Sequence, residues 1–237
     1  MNYEFEILRR ENSSAKPYLQ NISYETENKR ETVATALTNI NRAAENALLD
    51  REGRRVQPIR WESGCLQKKC GACAMVVNGV PGLACDSFLE KCRKKGRIRL
   101  EPLRKFPVVA DLMVDRSILF ENLKTMEIWR KEAVSLDEKR RQLVYESSKC
   151  LACGCCLEIC PNYSFGESFF GAAAFVPTTR LITTLKKEER ESLRKAYLSH
   201  VYQGCGKSLA CAAVCPAKLN VEQMLAASNA LSLWRRP

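Results

Sequence analysis

Cys150-Leu-Ala-Cys153-Gly-Cys-Cys156-Leu-Glu-Ile-Cys160-Pro161 is the stretch on which the reading of this chain turns. The spacing C-x2-C-x2-C-x3-C-P belongs to chains that wrap a pair of cubane iron–sulfur clusters, with the fourth cysteine of each run serving the other cluster. Downstream, Cys205-Gly-Lys-Ser208-Leu-Ala-Cys211-Ala-Ala-Val-Cys215-Pro216 keeps every spacing but puts serine where the second ligand belongs. Under the crossing rule, Cys150, Cys153 and Cys156 hold a 4Fe-4S cluster together with Cys215, and Cys205 and Cys211 are joined by Cys160 around the other. Three thiolates suit a 3Fe-4S core, which lacks the iron the missing ligand would have held. The other possibility is a 4Fe-4S core completed by the Ser208 oxygen or by water. Cys155 lies out of phase with the run and reads as a non-ligand thiol, unless it exchanges with Cys156.

An earlier block reads Cys65-x4-Cys70-x2-Cys73, followed after eleven residues by Cys85. C-x4-C-x2-C with a distant fourth cysteine is the plant-type 2Fe-2S spacing. A loop around so small a cluster must turn its thiolates inward while its amides point at sulfur, and Gly64, Gly71 and Ala72 leave that backbone uncrowded. The plainer alternative, a zinc site built on Cys70-x2-Cys73, sits poorly with an x4 first arm. Cys92 falls outside the pattern and reads as a packed or free thiol. Eleven of the thirteen cysteines are thus assigned to three centres, and three one-electron centres in one chain make a wire.

The cysteine blocks, 65 to 92 and 150 to 215, are separated by a cysteine-free gap, which divides the 237 residues into domains at 1–105 and 106–237. In the first, Tyr3, Phe5 and Ile7 alternate as in a strand, Tyr18–Tyr24 reads as a second, and Val33, Leu37, Ile40, Ala44 and Leu48 recur as the buried stripe of a helix. Further strands are expected at Val56–Trp61, Ala74–Asn78 and Arg97–Leu100, with a turn at Gly79 and Pro81-Gly82. This is an α+β order. Pro102, Leu103-Arg-Lys-Phe and Pro107 read as linker. From about Asp111 the pattern turns helical and charged, as in Glu127–Val134 and Lys186–Lys195, so the second domain is expected to be all-α. Its last helix starts at an Asn220 cap with Gln223 as capping partner and lines Val221, Met224, Leu225, Ser228 and Leu231 along one side.

Composition excludes several classes. The first ten residues lack the basic start and apolar run of a signal peptide, Arg9-Arg10 is not followed by an apolar stretch, and no window reaches the roughly 20 apolar residues of a membrane span. The longest candidate, Phe169 to Pro177, is interrupted by Gly171 and stops at the proline. The expectation is a chain in a reducing compartment, where thirteen cysteines mean metal. With His200 as the single histidine, acid–base chemistry on a substrate has no obvious home, and His200 reads as a surface or capping residue. No catalytic residue is assigned. No G-x-G-x-x-G is present, so a flavin would sit on a partner. The net charge of +11 and the basic run Lys91–Arg99 could suggest nucleic acid, but the run lacks interleaved aromatics and reads as a solvated face. Eleven ligand thiolates would offset much of that charge.

Taken together, these motifs resemble the iron–sulfur subunit of succinate dehydrogenase and fumarate reductase, the respiratory complex II family, over nearly the whole chain. The resemblance rests on the x4, x2, x11 cysteine spacing, on Arg99-Leu-Glu-Pro-Leu and Pro107-Val-Val-Ala-Asp-Leu-Met-Val-Asp115, and on the paired Cys-Pro runs with Ser208. Phe170-Gly-Ala-Ala-Ala with Arg180 is similar to the family's Gly-Pro-Ala segment, Ala172 replacing the proline. It implies a β-grasp ferredoxin domain followed by a helical ferredoxin domain, and electron flow between a FAD-containing flavoprotein subunit and a quinone at membrane anchor subunits through the 2Fe-2S, 4Fe-4S and 3Fe-4S clusters. A peripheral place on the cytoplasmic side of the cell membrane follows from that assembly. Pro161 and Phe165 would lie near the quinone; their other role is to end the cluster loop and pack. Ubiquinone-linked members tend to carry a tryptophan after the first Cys-Pro and a histidine after the first cysteine of the second run; here stand Asn162-Tyr-Ser-Phe165 and Gly206, which favours menaquinone or a fumarate reductase. The nearest rival is an iron–sulfur subunit of the same build serving a soluble fumarate reductase or another flavoprotein without an anchor.

Overall fold

A computed structural model describes residues 1–94, 96–129, 136–186 and 188–233. They form two units, Met1–Asp115 and Arg116–Pro237. In the first, β1 (Asn2–Arg9) pairs antiparallel with β2 (Tyr18–Glu25) in full register from Asn2↔Glu25 to Arg9↔Tyr18. On its other side β1 runs parallel to β5 (Arg97–Glu101), which is antiparallel to β3 (Ala74–Val77), and β3 closes a hairpin with β4 (Val80–Leu83). The sheet order is therefore β2-β1-β5-β3-β4. Alternation buries Tyr3, Phe5, Ile7 and Arg9 of β1 and exposes or half-exposes the residues between them. Helix α1 (Val33–Glu45) starts where the Thr32 hydroxyl accepts from the Thr35 amide, and it buries Val33, Ala36, Leu37, Ile40 and Ala44. Each large aliphatic side chain so removed from water contributes about 1.5–3 kcal/mol. The short helix α2 (Leu89–Cys92) precedes β5, and the two-stranded ribbon β6 (Val108–Ala110) and β7 (Met113–Val114) follows it.

Three expectations need correction here. Residues 56–61 are not a strand, because their amides go elsewhere: Val56 N–H donates to the Leu48 carbonyl, Ile59 N–H to Asn41 Oδ1 and Arg60 N–H to Asp111 Oδ2. Pro81 and Gly82 lie within the edge strand β4, where a missing amide is tolerated; the turn is Asn78-Gly79 alone, both at positive φ (49° and 83°), the backbone of a two-residue hairpin. The division between units falls after Asp115 rather than after 105. The Asp111 carboxylate ties residues 106–115 to the first unit through Arg9, Arg10 and Arg60.

Every regular element among the described residues of the second unit is helical: α3 (Ser117–Thr125), α4 (Glu138–Ser148), α5 (Cys155–Ile159), α6 (Gly171–Ile182), α7 (Glu191–Tyr197), α8 (Ala210–Ala213) and α9 (Val221–Leu233), with a π turn at Leu198–Tyr202. The core gathers Phe170, Phe175, Val176, Leu181 and Ile182 from α6 and its approach with Leu193, Tyr197, Val201, Val221, Met224 and Leu225. Helix α6 runs through Pro177. Pro177 cannot donate to the Ala173 carbonyl, but the hydroxyls of Thr178, Thr179 and Thr183 reinforce the ladder by donating to the carbonyls four residues back, and Thr179 Oγ1 meets Ser228 Oγ of α9 at 2.7 Å. Helix α9 begins as its sequence says: the Gln223 amide donates to Asn220 Oδ1 at 3.1 Å and Asn220 Nδ2 to Gln223 Oε1 at 3.3 Å. The charged stretch from Glu127 does not open as a helix; α3 ends at Thr125 and Glu127 has φ 50°. Residues 130–135 lie outside the described set.

Candidate metal centres

The loop from Gly64 to Cys73 is built to put amides on sulfur. Gln67 and Lys69 N–H donate to Cys65 Sγ at 3.3 and 3.2 Å, Cys65 and Ala72 N–H to Cys70 Sγ at 3.4 and 3.5 Å, and Lys68 N–H to Cys85 Sγ at 3.3 Å. Those donors stabilise the ionised thiol, and the Gln67 and Lys69 amides draw Cys65 down to about 7. Cys73, by contrast, is pushed up to about 12, first by burial and then by its neighbours Cys85 and Cys70. A loop this tight needs left-handed backbone at Leu66 (φ 52°) and Lys68 (φ 60°), and a Cβ on Gly64 would crowd Cys70 Sγ at 3.1 Å. Lys68 also reaches Asp86, beside Cys85, at 2.6 Å, a link between the two arms that spacing alone does not reveal. Cys92 stands apart: its thiol is raised by burial and hydrogen-bonds Ser87, and no other cysteine acts on it.

In the second unit the thiols surround two spaces. One is lined by Cys150, Cys153, Cys156, Cys211 and Cys215 with Ala172, Val176 and Leu219. The other is lined by Cys160, Cys205, Ser208 and Cys211 with Asn162, Phe169 and Leu225. Thiols of the two Cys-Pro runs are therefore interleaved, the first run sending Cys160 to the second space and the second run sending Cys215 to the first. The Cys156 thiol is raised well above the ordinary range by desolvation and by Cys153, Cys150, Cys211 and Cys215. Cys153 is drawn down to about 7, chiefly by a hydrogen bond with the Cys155 thiol, with Arg116 helping; Arg116 also donates to the Cys153 carbonyl at 3.3 Å. Cys155 is itself raised by that bond and by burial.

Soft thiolates at these spacings, amides aimed at sulfur in the first loop and thiol-lined spaces in the second unit fit iron–sulfur clusters. Among the described residues no three His, Cys, Asp or Glu converge as closely as one metal ion requires. Pro161 and Phe165 are exposed on the segment after Cys160. His200 has a packing role: Nδ1 donates to the Ser168 carbonyl at 2.8 Å and the ring stacks on Phe170 at 4.2 Å. Within the basic run, Arg97 pairs with Glu6 and Glu4 of β1 and Arg99 with Glu101 of its own strand, while Arg93 lies over the Tyr3 ring.

Residues 4–121 match the model of a 2Fe-2S iron–sulfur cluster binding domain and residues 146–219 that of a 4Fe-4S dicluster domain. The succinate dehydrogenase iron–sulfur subunit of Bacillus subtilis is 36% identical over 83% of this chain and 79% of its own length. The fumarate reductase iron–sulfur subunit of Wolinella succinogenes is 32% identical over 71% of this chain and 75% of its own length. Among solved structures, a chain of the Mycobacterium smegmatis Sdh1 complex in the apo form shares the fold, with a TM-score of 0.74 at 18% identity over 96% of this chain and 95% of that one. With an ordered pair of cluster-binding domains and relatives of this identity and coverage, the chain belongs to the family of iron–sulfur subunits of succinate dehydrogenase and fumarate reductase.

Proposed function

We propose that this chain is the electron-relaying subunit of a succinate dehydrogenase or fumarate reductase, working between a FAD-containing partner and a quinone at a membrane anchor, with a β-grasp ferredoxin fold in the first unit and a helical ferredoxin fold in the second. The observation that carries it is the interleaving of the two Cys-Pro runs around two spaces, with Ser208 beside the second. Cys65, Cys70, Cys73 and Cys85 would hold a 2Fe-2S cluster, Cys150, Cys153, Cys156 and Cys215 a 4Fe-4S cluster, and Cys160, Cys205 and Cys211 a 3Fe-4S cluster. When bound, such clusters supply one-electron transfer at potentials set by ligands, hydrogen bonds and burial.

The chain's own residues do the tuning. Amides of Cys65, Gln67, Lys68, Lys69 and Ala72 offset thiolate charge at the exposed first loop, whereas Ala172, Val176 and Leu219 shield the thiols of the first space of the second unit. No helix among the described residues is long and apolar enough to cross a membrane, so anchoring falls to partner subunits, on the cytoplasmic side in this reading. Exposed Pro161 and Phe165, with side-chain-free Gly206, form the edge offered to a quinone, of the menaquinone class. Anaerobically purified full chain tests the assignment by electron paramagnetic resonance. Ser208→Cys is expected to convert a three-iron signature to a four-iron one while the 2Fe-2S signal persists; an unchanged signature refutes the three-thiolate centre.

A further inference from the structure

The loop that carries Cys205 has little structure of its own. Between the π turn ending at Tyr202 and α8 it makes no ladder, and it passes through left-handed Lys207 and Leu209, both at φ 56°. Something else must hold it, and the two glycines bracketing Cys205 show what. A Cβ on Gly204 would stand 2.5 Å from Cγ and Cδ2 of Phe169 and 2.7 Å from its Cβ, so that buried side chain presses directly on the backbone. A Cβ on Gly206 would stand 3.2 Å from both Nδ2 and Oδ1 of Asn162, whose Nδ2 donates to the Gly204 carbonyl at 2.9 Å. Asn162, Phe169, Cys205 and Gly206 line one space with Cys160 and Cys211.

We propose that Asn162 and Phe169 are positioning residues that pinch the Gly204–Gly206 backbone from two directions and thereby fix the Cys205 thiol for the second centre. The inference rests on the ligand assignment proposed above. Asn162 follows Cys160-Pro161 directly, so its amide staples the tail of the first run to the head of the second, where the ligands of that centre must meet. The Asn162 side chain gives the outward Gly204 carbonyl a fixed donor, and a Cβ at 206 would crowd that side chain. This accounts for a side chain at 162 and its absence at 206 as one device.

The test uses the full chain purified anaerobically, with the second-centre signal measured against the 2Fe-2S signal of the same sample. Asn162→Ala and Gly206→Ala should each lower that ratio by about two- to tenfold, the span of one net hydrogen bond. The double variant should be no worse than either single one, because both act through one contact. Asn162→Asp, which keeps the shape but loses the donor, should behave like Asn162→Ala. Gly204→Ala, opposed by a buried ring, should cost more than Gly206→Ala. Wild-type ratios in Asn162→Ala and Gly206→Ala overturn the proposal, as does a double variant showing the product of two separate losses. A parallel fall of all signals also overturns it, since the residues would then act on the fold and not on the second centre. Wild-type protein without any second-centre signal would instead sink the ligand assignment itself.

Discussion

Asp111 is the residue whose loss should most disturb the first unit. Its carboxylate is buried and accepts four hydrogen bonds: Arg9 Nε at 2.9 Å, Arg9 Nη2 at 3.2 Å, Arg10 N–H at 3.0 Å and Arg60 N–H at 2.8 Å. Arg9 is equally buried, its remaining donors spent on Gln20 Oε1 and the Gln57 and Pro58 carbonyls. Asp111→Ala therefore leaves a nearly buried guanidinium with no counter-charge, which costs about 3–5 kcal/mol. Two amides lose their acceptor as well, and an unsatisfied buried donor costs about 1–3 kcal/mol. Because Arg10 and Arg60 lie nearer the surface, the whole is set at about 4 kcal/mol. A domain of this size shifts its melting point by roughly 3–5 °C per kcal/mol, so Asp111→Ala is expected to melt roughly 12–20 °C lower.

The assay is thermal melting of the holoprotein followed at the visible absorption of the first centre. Arg60 belongs to the segment that leads into the Cys65 loop, so loss of absorption should report the loosening directly. A control separates charge from contact: Arg9→Met combined with Asp111→Leu removes both ions and should melt above Asp111→Ala, as paired apolar replacements of buried ions do. If Asp111→Ala melts within about 3 °C of wild type, or the double variant melts lower still, the claim that this pair locks the first unit is wrong.

Two further outcomes follow from the same geometry. Burial pushes the Asp50 carboxyl up, but the Arg54 amide, the Gln20 side chain and the Arg54 guanidinium more than offset it, so its pKa lies below the ordinary value. A carboxylate with a depressed folded pKa adds stability above its unfolded value, about 3.9, and loses it as pH falls through the folded value; Asp50→Asn should therefore flatten the acid side of a melting-point-against-pH curve, and a curve parallel to wild type counts against the network. The interleaved runs predict crossed phenotypes: Cys160→Ser should perturb the three-iron signal and Cys215→Ser the four-iron signal, and uncrossed losses in electron paramagnetic resonance would refute the ligand sets.

Local pattern made some elements legible and left others hidden. Alternation at Tyr3, Phe5 and Ile7 and steps of three and four at Val33, Leu37 and Ile40 report directly on burial, so β1 and α1 could be read from the chain, as could the Asn220 cap of α9. Residues 56–61 could not. Their composition suits a strand, but whether they pair depends on who takes their amides, and the takers are Asn41 and Asp111, far away in sequence. Asn78-Gly79 outcompetes Pro81-Gly82 as a turn because two adjacent positive-φ residues match the twist of a tight hairpin, a geometric preference that a proline elsewhere cannot override. Cysteine spacing pointed to the candidate ligands but not to Asn162 or the Lys68–Asp86 link, because an asparagine or an ion pair has no spacing signature until the backbone is placed.

The interleaving also bears on how the second unit holds together. Each space takes thiols from segments some fifty residues apart in sequence, so under the proposed ligand sets neither run could build its centre before the other had packed beside it. Helices α5 and α8 are too short to be stable by themselves and bury little apolar surface, and they depend on α6 and α9 for their place. Ligation would then add its free energy to the whole unit and not to one run, since a site that exists only in the folded state returns its binding energy to folding. Ser208 leaves that coupling intact: the second space keeps one thiol from the first run and two from the second, and the contacts that bring them together, Asn162 with Gly204 and Thr179 with Ser228, do not involve the serine. In the proposed ligand assignment, a missing fourth thiolate would therefore change what the centre is without changing how the unit is closed.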